Sequence, residues 1–380
     1  MHVGVNAAAC SDFLLFPLFL SITLKMKRVL LCTFLILNWC AGLGPAVAGP
    51  ITGLVVFGDS LSDAGNVQQR TTALVPLVQP TPGPYYFDGR FSNGPNYADV
   101  LSQGLGLGPL ARSLAGGDNF AYGGARTSGT PFPNSLVVQD VDDQVSLFLA
   151  ARTPAAGELF VVFAGADDLL DLLAANGTNV VPSVNSLRTS MTRLYDAGAR
   201  EFLVMNVPEL GATPRYNGDP VQAAAANALT VQFNAALAMS LDALEATEPG
   251  LTIHRFDVAG LFNDLLADPA AFGLANVIDP AAPGLEPGDQ SYNTGLIAPN
   301  VNQYLFWDTL HPTAAAHALL GQQALAIVPE PAGLVLLGFG GLWLISGRRK
   351  SRHSNRHRQG GKQTPCRDRL GLTMKKPPIV

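Results

Sequence analysis

Between Gly49 and Pro331 the chain holds no lysine and no cysteine. Its four cysteines, Cys10, Cys32, Cys40 and Cys366, all lie outside that stretch, which excludes a disulfide framework or a thiolate metal site within it. Positive charge is scarce there too. Ten arginines face 27 aspartates and glutamates, a net of −17, whereas the whole 380-residue chain carries −5 because basic residues gather at its two ends. So acidic a body argues against nucleic acid or an anionic membrane surface as partner. Histidine is also rare: only His254, His311 and His317 fall inside it, which leaves few candidates for a neutral-pH base.

The two ends read as targeting segments. Met26-Lys-Arg28 is a short basic start, Val29 to Leu43 is mostly apolar, and Ala46-Val-Ala48 is a small-residue cleavage site, so 26–48 is expected to be a secretory signal peptide. Residues 1–25 carry a second apolar run, Phe13 to Leu24, and are read as an upstream extension, with translation starting at Met26 as the simplest account. At the other end Val328-Pro-Glu-Pro331 precedes an apolar run, Ala332 to Ser346, and then Arg348-Arg-Lys350. Such a run is short of the roughly 20 residues that span a bilayer, which suits a buried helix, but the basic flank suits a membrane stop. This pattern over 329–350 resembles the PEP-CTERM sorting signal of exported bacterial proteins. The resemblance implies a membrane anchor that an exosortase-type protease removes, with delivery to the cell surface or extracellular matrix. Residues 351–380 are basic and polar and read as a disordered tail.

The body, 49–328, is long enough for one large core. Apolar, β-branched runs at Leu54–Phe57, Leu159–Ala164, Phe202–Asn206 and Leu251–Phe256 read as strands. Val184 to Ala197, Pro220 to Ala246 and Ala314 to Ile327 have helical composition, the second with Phe233, Leu237, Leu241 and Leu244 at helical spacing. Strands alternating with helices predict βαβ units and a parallel sheet. Residues 71–134 and 278–302, rich in Gly, Pro and Asn, read as long loops near the sheet edge.

Four stretches carry chemistry. In Leu54-Val-Val-Phe-Gly-Asp-Ser-Leu-Ser-Asp-Ala-Gly-Asn66 an apolar strand breaks at Gly58 and puts Ser60 at its carboxyl end, where open α/β sheets bind ligands. A serine there is a candidate nucleophile or an ordinary turn residue. In Asp118-Asn-Phe-Ala-Tyr-Gly-Gly-Ala125, Gly123 and Gly124 either allow a turn with positive φ or aim a backbone N–H at a reacting oxygen. Leu159 to Asp168 repeats the strand-then-turn pattern and delivers Asp167 and Asp168 to a second strand's end. Asp308-Thr-Leu-His311 lies in a turn before Pro312, and a carboxylate three residues from an imidazole suits a base and its orienter. His254, inside a strand, and His317, inside the last helix, read as structural. Arg90 has two readings: it pins a loop to the body, or it holds a carboxylate or substrate.

Together these blocks resemble the GDSL family of lipases and esterases, the SGNH hydrolases, from about Thr52 to Val328. Gly58-Asp-Ser-Leu61 is similar to the family's nucleophile block, Asn119 to Ala125 to its glycine block, Gly165-Ala-Asp-Asp168 to its Gly-x-Asn-Asp and Asp308-Thr-Leu-His311 to its Asp-x-x-His. Gly89-Arg-Phe-Ser-Asn-Gly94 and Asn206-Val-Pro-Glu-Leu-Gly-Ala-Thr-Pro214 are secondary matches. The resemblance implies a three-layer α/β/α sandwich with a flavodoxin-like parallel sheet. It implies Ser60 as nucleophile, His311 as general base, Asp308 as its orienter, and an oxyanion hole of the Ser60 N–H, the Gly124 N–H and the side chain at 167. It calls for neither metal nor cofactor.

Position 167 departs from that pattern. An asparagine donates to an oxyanion, whereas an ionised aspartate repels it, and losing one such donor costs roughly 10²- to 10³-fold in turnover. Either burial beside Asp168 raises the Asp167 pKa until it donates as an acid, or the side chain turns away. The leading expectation is an exported serine esterase or lipase acting on carboxylic esters. A polysaccharide O-deacetylase of the matrix is its close variant, and a surface binding protein with a weakened site is the different-class alternative.

Overall fold

The computed structural model of the protein describes residues 50–328. The segments expected to be a signal peptide (26–48), a sorting signal (329–350), an upstream extension (1–25) and a basic tail (351–380) lie outside the described residues.

Four parallel strands form the main sheet in the order β1 (Gly53–Gly58), β2 (Glu158–Phe163), β3 (Glu201–Met205) and β4 (Thr252–Phe256). Each strand end lies within a residue or two of its apolar run. Beside β1, the extended segment 118–122 runs parallel to it: the Val56 N–H donates to Asp118 O, Phe120 N–H to Val56 O and Tyr122 N–H to Gly58 O. Counting that segment second in the chain, the order is 2-1-3-4-5, that of flavodoxin-like sheets, and the switch point falls beside β1. A short pair, β5 (Asn276–Pro280) and β6 (Tyr304–Phe306), stands apart from this sheet.

Alternation along the strands builds two cores. Val55 and Phe57 of β1, Phe160 and Val162 of β2, and Phe202 and Val204 of β3 pack on one face with α3 (Val141–Ala151), α5 (Val181–Asp196) and α6 (Pro220–Thr247). Leu54 and Val56, Leu159 and Val161, and Leu203 and Met205 pack on the other with α2 (Tyr97–Gly104), α7 (Val258–Ala267) and α8 (Ala314–Ile327). Strands buried on both faces read as continuous apolar runs, and helices on both faces make the three-layer α/β/α sandwich. The first and fourth helices, α1 (Asn66–Thr72) and α4 (Ala166–Ala174), start directly beyond β1 and β2 at the carboxyl edge of the sheet.

The stretch 71–134 is not all loop. It contains α2, begun by a capping box in which Asn96 accepts the Ala98 and Asp99 N–H groups while Asp99 accepts the Asn96 N–H, and it contains the 118–122 strand position. Arg90 resolves toward its structural reading. Its guanidinium forks onto Asp99 at 2.5 and 2.8 Å and is buried, fastening the loop to α2. His317 is buried in α8, where its Nδ1 accepts the Tyr97 N–H and burial pushes its pKa down to about 3, so it stays neutral. His254 pairs with Glu201 across β4 and β3 at 3.0 Å.

Candidate active site

β1 ends at Gly58, and Gln144 of α3 clamps that end: its Oε1 accepts the Gly58 N–H and its Nε2 donates to Gly58 O, both at 2.8 Å. The chain then turns, with Asp59 Oδ1 accepting the Leu61 N–H, and half-buried Ser60 stands at the head of the turn. Asp63 holds the turn from beneath. Its buried carboxylate accepts the N–H groups of Gly65, Asn66 and Gly123 at 2.7 to 2.9 Å, joining the start of α1 to the glycine block. Burial outweighs those bonds and lifts the Asp63 pKa to about 6. Asn66 and Asn119 lace the same parts together: Asn66 Nδ2 donates to Asn119 O and Ala121 O, and Asn119 Nδ2 donates to Ser62 O.

Across the sequence, β6 and the turn after it bring in the acid and the imidazole. His311 Nε2 is 2.9 Å from Ser60 Oγ, and His311 Nδ1 is 2.8 Å from Asp308 Oδ2. Asp308 Oδ1 accepts the N–H groups of Leu310 and His311. Burial alone would raise the Asp308 pKa, but the His311 charge and hydrogen bonds prevail and hold it below the usual carboxylate range. With Asp308 ionised, Nδ1 carries the imidazole proton and Nε2 faces the serine as an acceptor.

The glycine block curls over this group. Gly124 has φ +81°, which a side-chain-bearing residue rarely adopts, and at Gly123 a Cβ would lie 2.1 Å from the Phe91 ring. Phe91 fills the space between Gly123 and His311, its ring 5.1 Å from the imidazole centroid. The Gly123 N–H is spent on Asp63, whereas among the described residues neither the Ser60 N–H nor the Gly124 N–H has an acceptor. Arg126 braces the Gly124 carbonyl at 3.0 Å and forks onto Asp171 of α4.

Asp167 occupies the first turn of α4. Burial lifts its pKa to about 6 against the pull of Arg126 and His311, with the Asp168 and Asp171 charges adding to the rise. Asp168 is tied down by the Thr127 N–H and hydroxyl. Asp59, behind the serine, is also pushed well up by its burial and by the Asp167 charge, and its Oδ2 has no partner. Three carboxyls thus share a poorly solvated place, which favours retaining a proton among them. Among the described residues no group of three His, Cys, Asp or Glu side chains stands close enough to hold a metal ion.

Of the residues singled out from the sequence, Ser60, Gly124, Asp167, Asp308 and His311, the candidate catalytic and oxyanion groups, lie around this carboxyl edge together with Asp168, whereas Arg90, His254 and His317 have structural partners. Three supporting residues were missed: Gln144, Phe91 and Tyr86, whose hydroxyl donates to Asp308 Oδ2 at 2.8 Å. No local motif marks Gln144 or Tyr86, and although Phe91 lies within Gly89-Arg-Phe-Ser-Asn-Gly94, nothing in that block reports its contact with His311, because each of the three reaches its partner across the fold.

A groove lies between α4 and α6. Its volume is about 630 Å³, and Leu170, Leu173, Tyr216, Ala225 and Leu229 contribute to its largely apolar walls. Leu170 follows Asp167 by three residues, one turn further along the same side of α4, and Leu173 follows Leu170 by another three. Tyr216 follows Arg215, whose N–H donates to Thr309 O next to Asp308.

A parallel α/β sheet with a hydroxyl, an imidazole and a carboxylate in hydrogen-bonded sequence at its carboxyl edge is equipped for acyl transfer. The family model of GDSL-like lipases/acylhydrolases matches residues 54–324. A GDSL esterase/lipase of Arabidopsis thaliana is 30% identical over 318 residues, covering 70% of this chain and 83% of the relative. A phosphatidylcholine-sterol acyltransferase of Aeromonas hydrophila is 26% identical over 316 residues, covering 72% and 89%. The esterase EstA of Pseudomonas aeruginosa is 30% identical over 340 residues, covering 77% of this chain and 49% of its own length. The chain belongs to the GDSL-like lipase/acylhydrolase family and is a carboxylic ester hydrolase.

Proposed function

We propose that the protein is an exported serine ester hydrolase whose nucleophile is Ser60. The observation that carries this reading is the unbroken hydrogen-bond chain from Ser60 through His311 to Asp308. His311 Nε2 takes the Ser60 proton as Oγ attacks the ester carbonyl, and Asp308 stabilises the imidazolium that forms. The tetrahedral oxygen faces the free N–H groups of Ser60 and Gly124, with protonated Asp167 as third donor. Collapse expels the alcohol, which takes the proton from His311. A water activated by the same imidazole then cleaves the acyl-enzyme and regenerates Ser60.

The groove favours an acyl chain over an acetyl group. Its volume falls within the range of small-molecule pockets, its walls are largely apolar, and one of them belongs to α4, the helix that carries Asp167 in its first turn. An acetyl ester would leave nearly all of it unused. Lipid or other longer-chain esters are therefore the substrate class, and polysaccharide O-deacetylation is the less favoured reading. Export rests on the signal-type segment 26–48 and on the sorting-type segment 329–350, with an exosortase-type protease as processing partner. A panel of p-nitrophenyl esters tests the substrate class. The expected result is kcat/KM rising from acetate to at least octanoate; a maximum at acetate would return the reading to a deacetylase.

A further inference from the structure

The loop 85–91 reaches the acid–base pair twice, and only one of those contacts is packing. Phe91 lies against the His311 ring, whereas Tyr86 touches the carboxylate itself. The Tyr86 side chain is buried among Ala281, Ala282, Leu285 and Trp307, the residue before Asp308. Its hydroxyl is 2.8 Å from Asp308 Oδ2, the oxygen that also meets His311 Nδ1. Burial, followed by the Asp308 charge and hydrogen bond, drives the phenol pKa far up, so the group stays protonated and the O–H is the donor. Asp308 thereby receives four donors: two backbone N–H groups on Oδ1, and the phenol and the imidazole on Oδ2.

We propose that Tyr86 is a positioning residue for catalysis, setting both the plane of the Asp308 carboxylate and how firmly that carboxylate holds the His311 imidazolium. This deepens the proposed serine mechanism and rests on it. Two donors on one oxygen compete for its charge. A phenol that draws on Oδ2 weakens that oxygen's grip on the imidazolium. It also blocks rotation of the carboxylate about χ2, which keeps Nδ1–H and Oδ2 aligned. The other ionisable groups facing the pair are Asp167 from α4, Glu286 and Asp289 from the 278–302 loop beyond Tyr86, and His317 from α8. None of these makes a hydrogen bond to Asp308 or His311 among the described residues.

The test is Tyr86→Phe, which keeps the ring and removes only the donor, assayed on a soluble p-nitrophenyl ester beside wild type and Ser60→Ala. Expected are a kcat lowered about tenfold with KM within twofold, and an acid limb of kcat/KM moved to higher pH because the imidazolium is now held more tightly. Installing 3-fluorotyrosine at position 86, a stronger donor of nearly the same size, should move that limb the opposite way. This second variant also serves should the phenylalanine variant fold poorly. If neither change moves the limb while Ser60→Ala is inactive, Tyr86 is packing alone and the inference falls with the serine mechanism intact. An active Ser60→Ala would overturn the mechanism and this inference together.

Discussion

An asparagine at position 167 would donate from its amide at any pH, whereas the aspartate there donates only while protonated. Its pKa of about 6 sets the direction of the effect. In the proposed mechanism, below that pH the carboxyl is neutral and donates to the tetrahedral oxygen, and above it the carboxylate repels the same oxygen. His311 works in the opposite sense, since it must be neutral to act as a base. Wild-type turnover should therefore decline as pH rises through about 6 when compared with Asp167→Asn, the substitution gaining about 10²-fold at pH 8 and little below pH 5. A kcat–pH profile of the two proteins checks this, and equal rates at pH 8 would mean that the side chain stands aside and the two backbone donors suffice. At this scale the sequence showed Ser60, Asp308 and His311 because each sits in a turn that its own neighbours specify. Tyr86 was invisible: it meets Asp308 across 222 positions, and nothing around it distinguishes a carboxylate's partner from a loop aromatic.

Strands were legible because burial on both faces writes them as unbroken apolar runs, and β1 through β4 each follow one such run closely. Helix α6 was legible from its spacing and from Pro220 at its start, behind the Asp219 cap. Helix α2 was not. Its eight residues are set in Gly- and Pro-rich chain, and the one cue was the pair Asn96 and Asp99, three apart, which forms the capping box. The 118–122 strand position was hidden too, since it is short and gains its place from hydrogen bonds to β1. In the proposed reading elements also determine specificity, because the groove lies between α4 and α6. Ala225 lies on its α6 wall. Ala225→Trp should fill the outer part and lower kcat/KM for octanoate about tenfold while leaving acetate within twofold. The same ester panel reads this out, and an unchanged chain-length profile would place the acyl chain elsewhere.

At the scale of the molecule, the sheet order places a switch point beside β1, and the nucleophile turn, the glycine block and the Asp308–His311 turn converge near it from positions 58–66, 118–125 and 308–311. That convergence was foreseen only through the family resemblance; no periodicity in the chain reports which strand lies beside which. The net charge of −17 between Gly49 and Pro331 was plain from the sequence, yet the gathering of buried Asp59, Asp63 and Asp168 with half-buried Asp167 was not, because burial depends on the fold. In the proposed mechanism those groups make the site responsive to pH without altering which atom attacks. The most direct measurement is reaction of the folded enzyme with a fluorophosphonate probe, followed by peptide mass spectrometry. The account predicts one adduct, on Ser60, that is absent in Ser60→Ala and forms far more slowly in His311→Ala. An esterase that stays unlabelled, or carries the adduct on another serine, would contradict it.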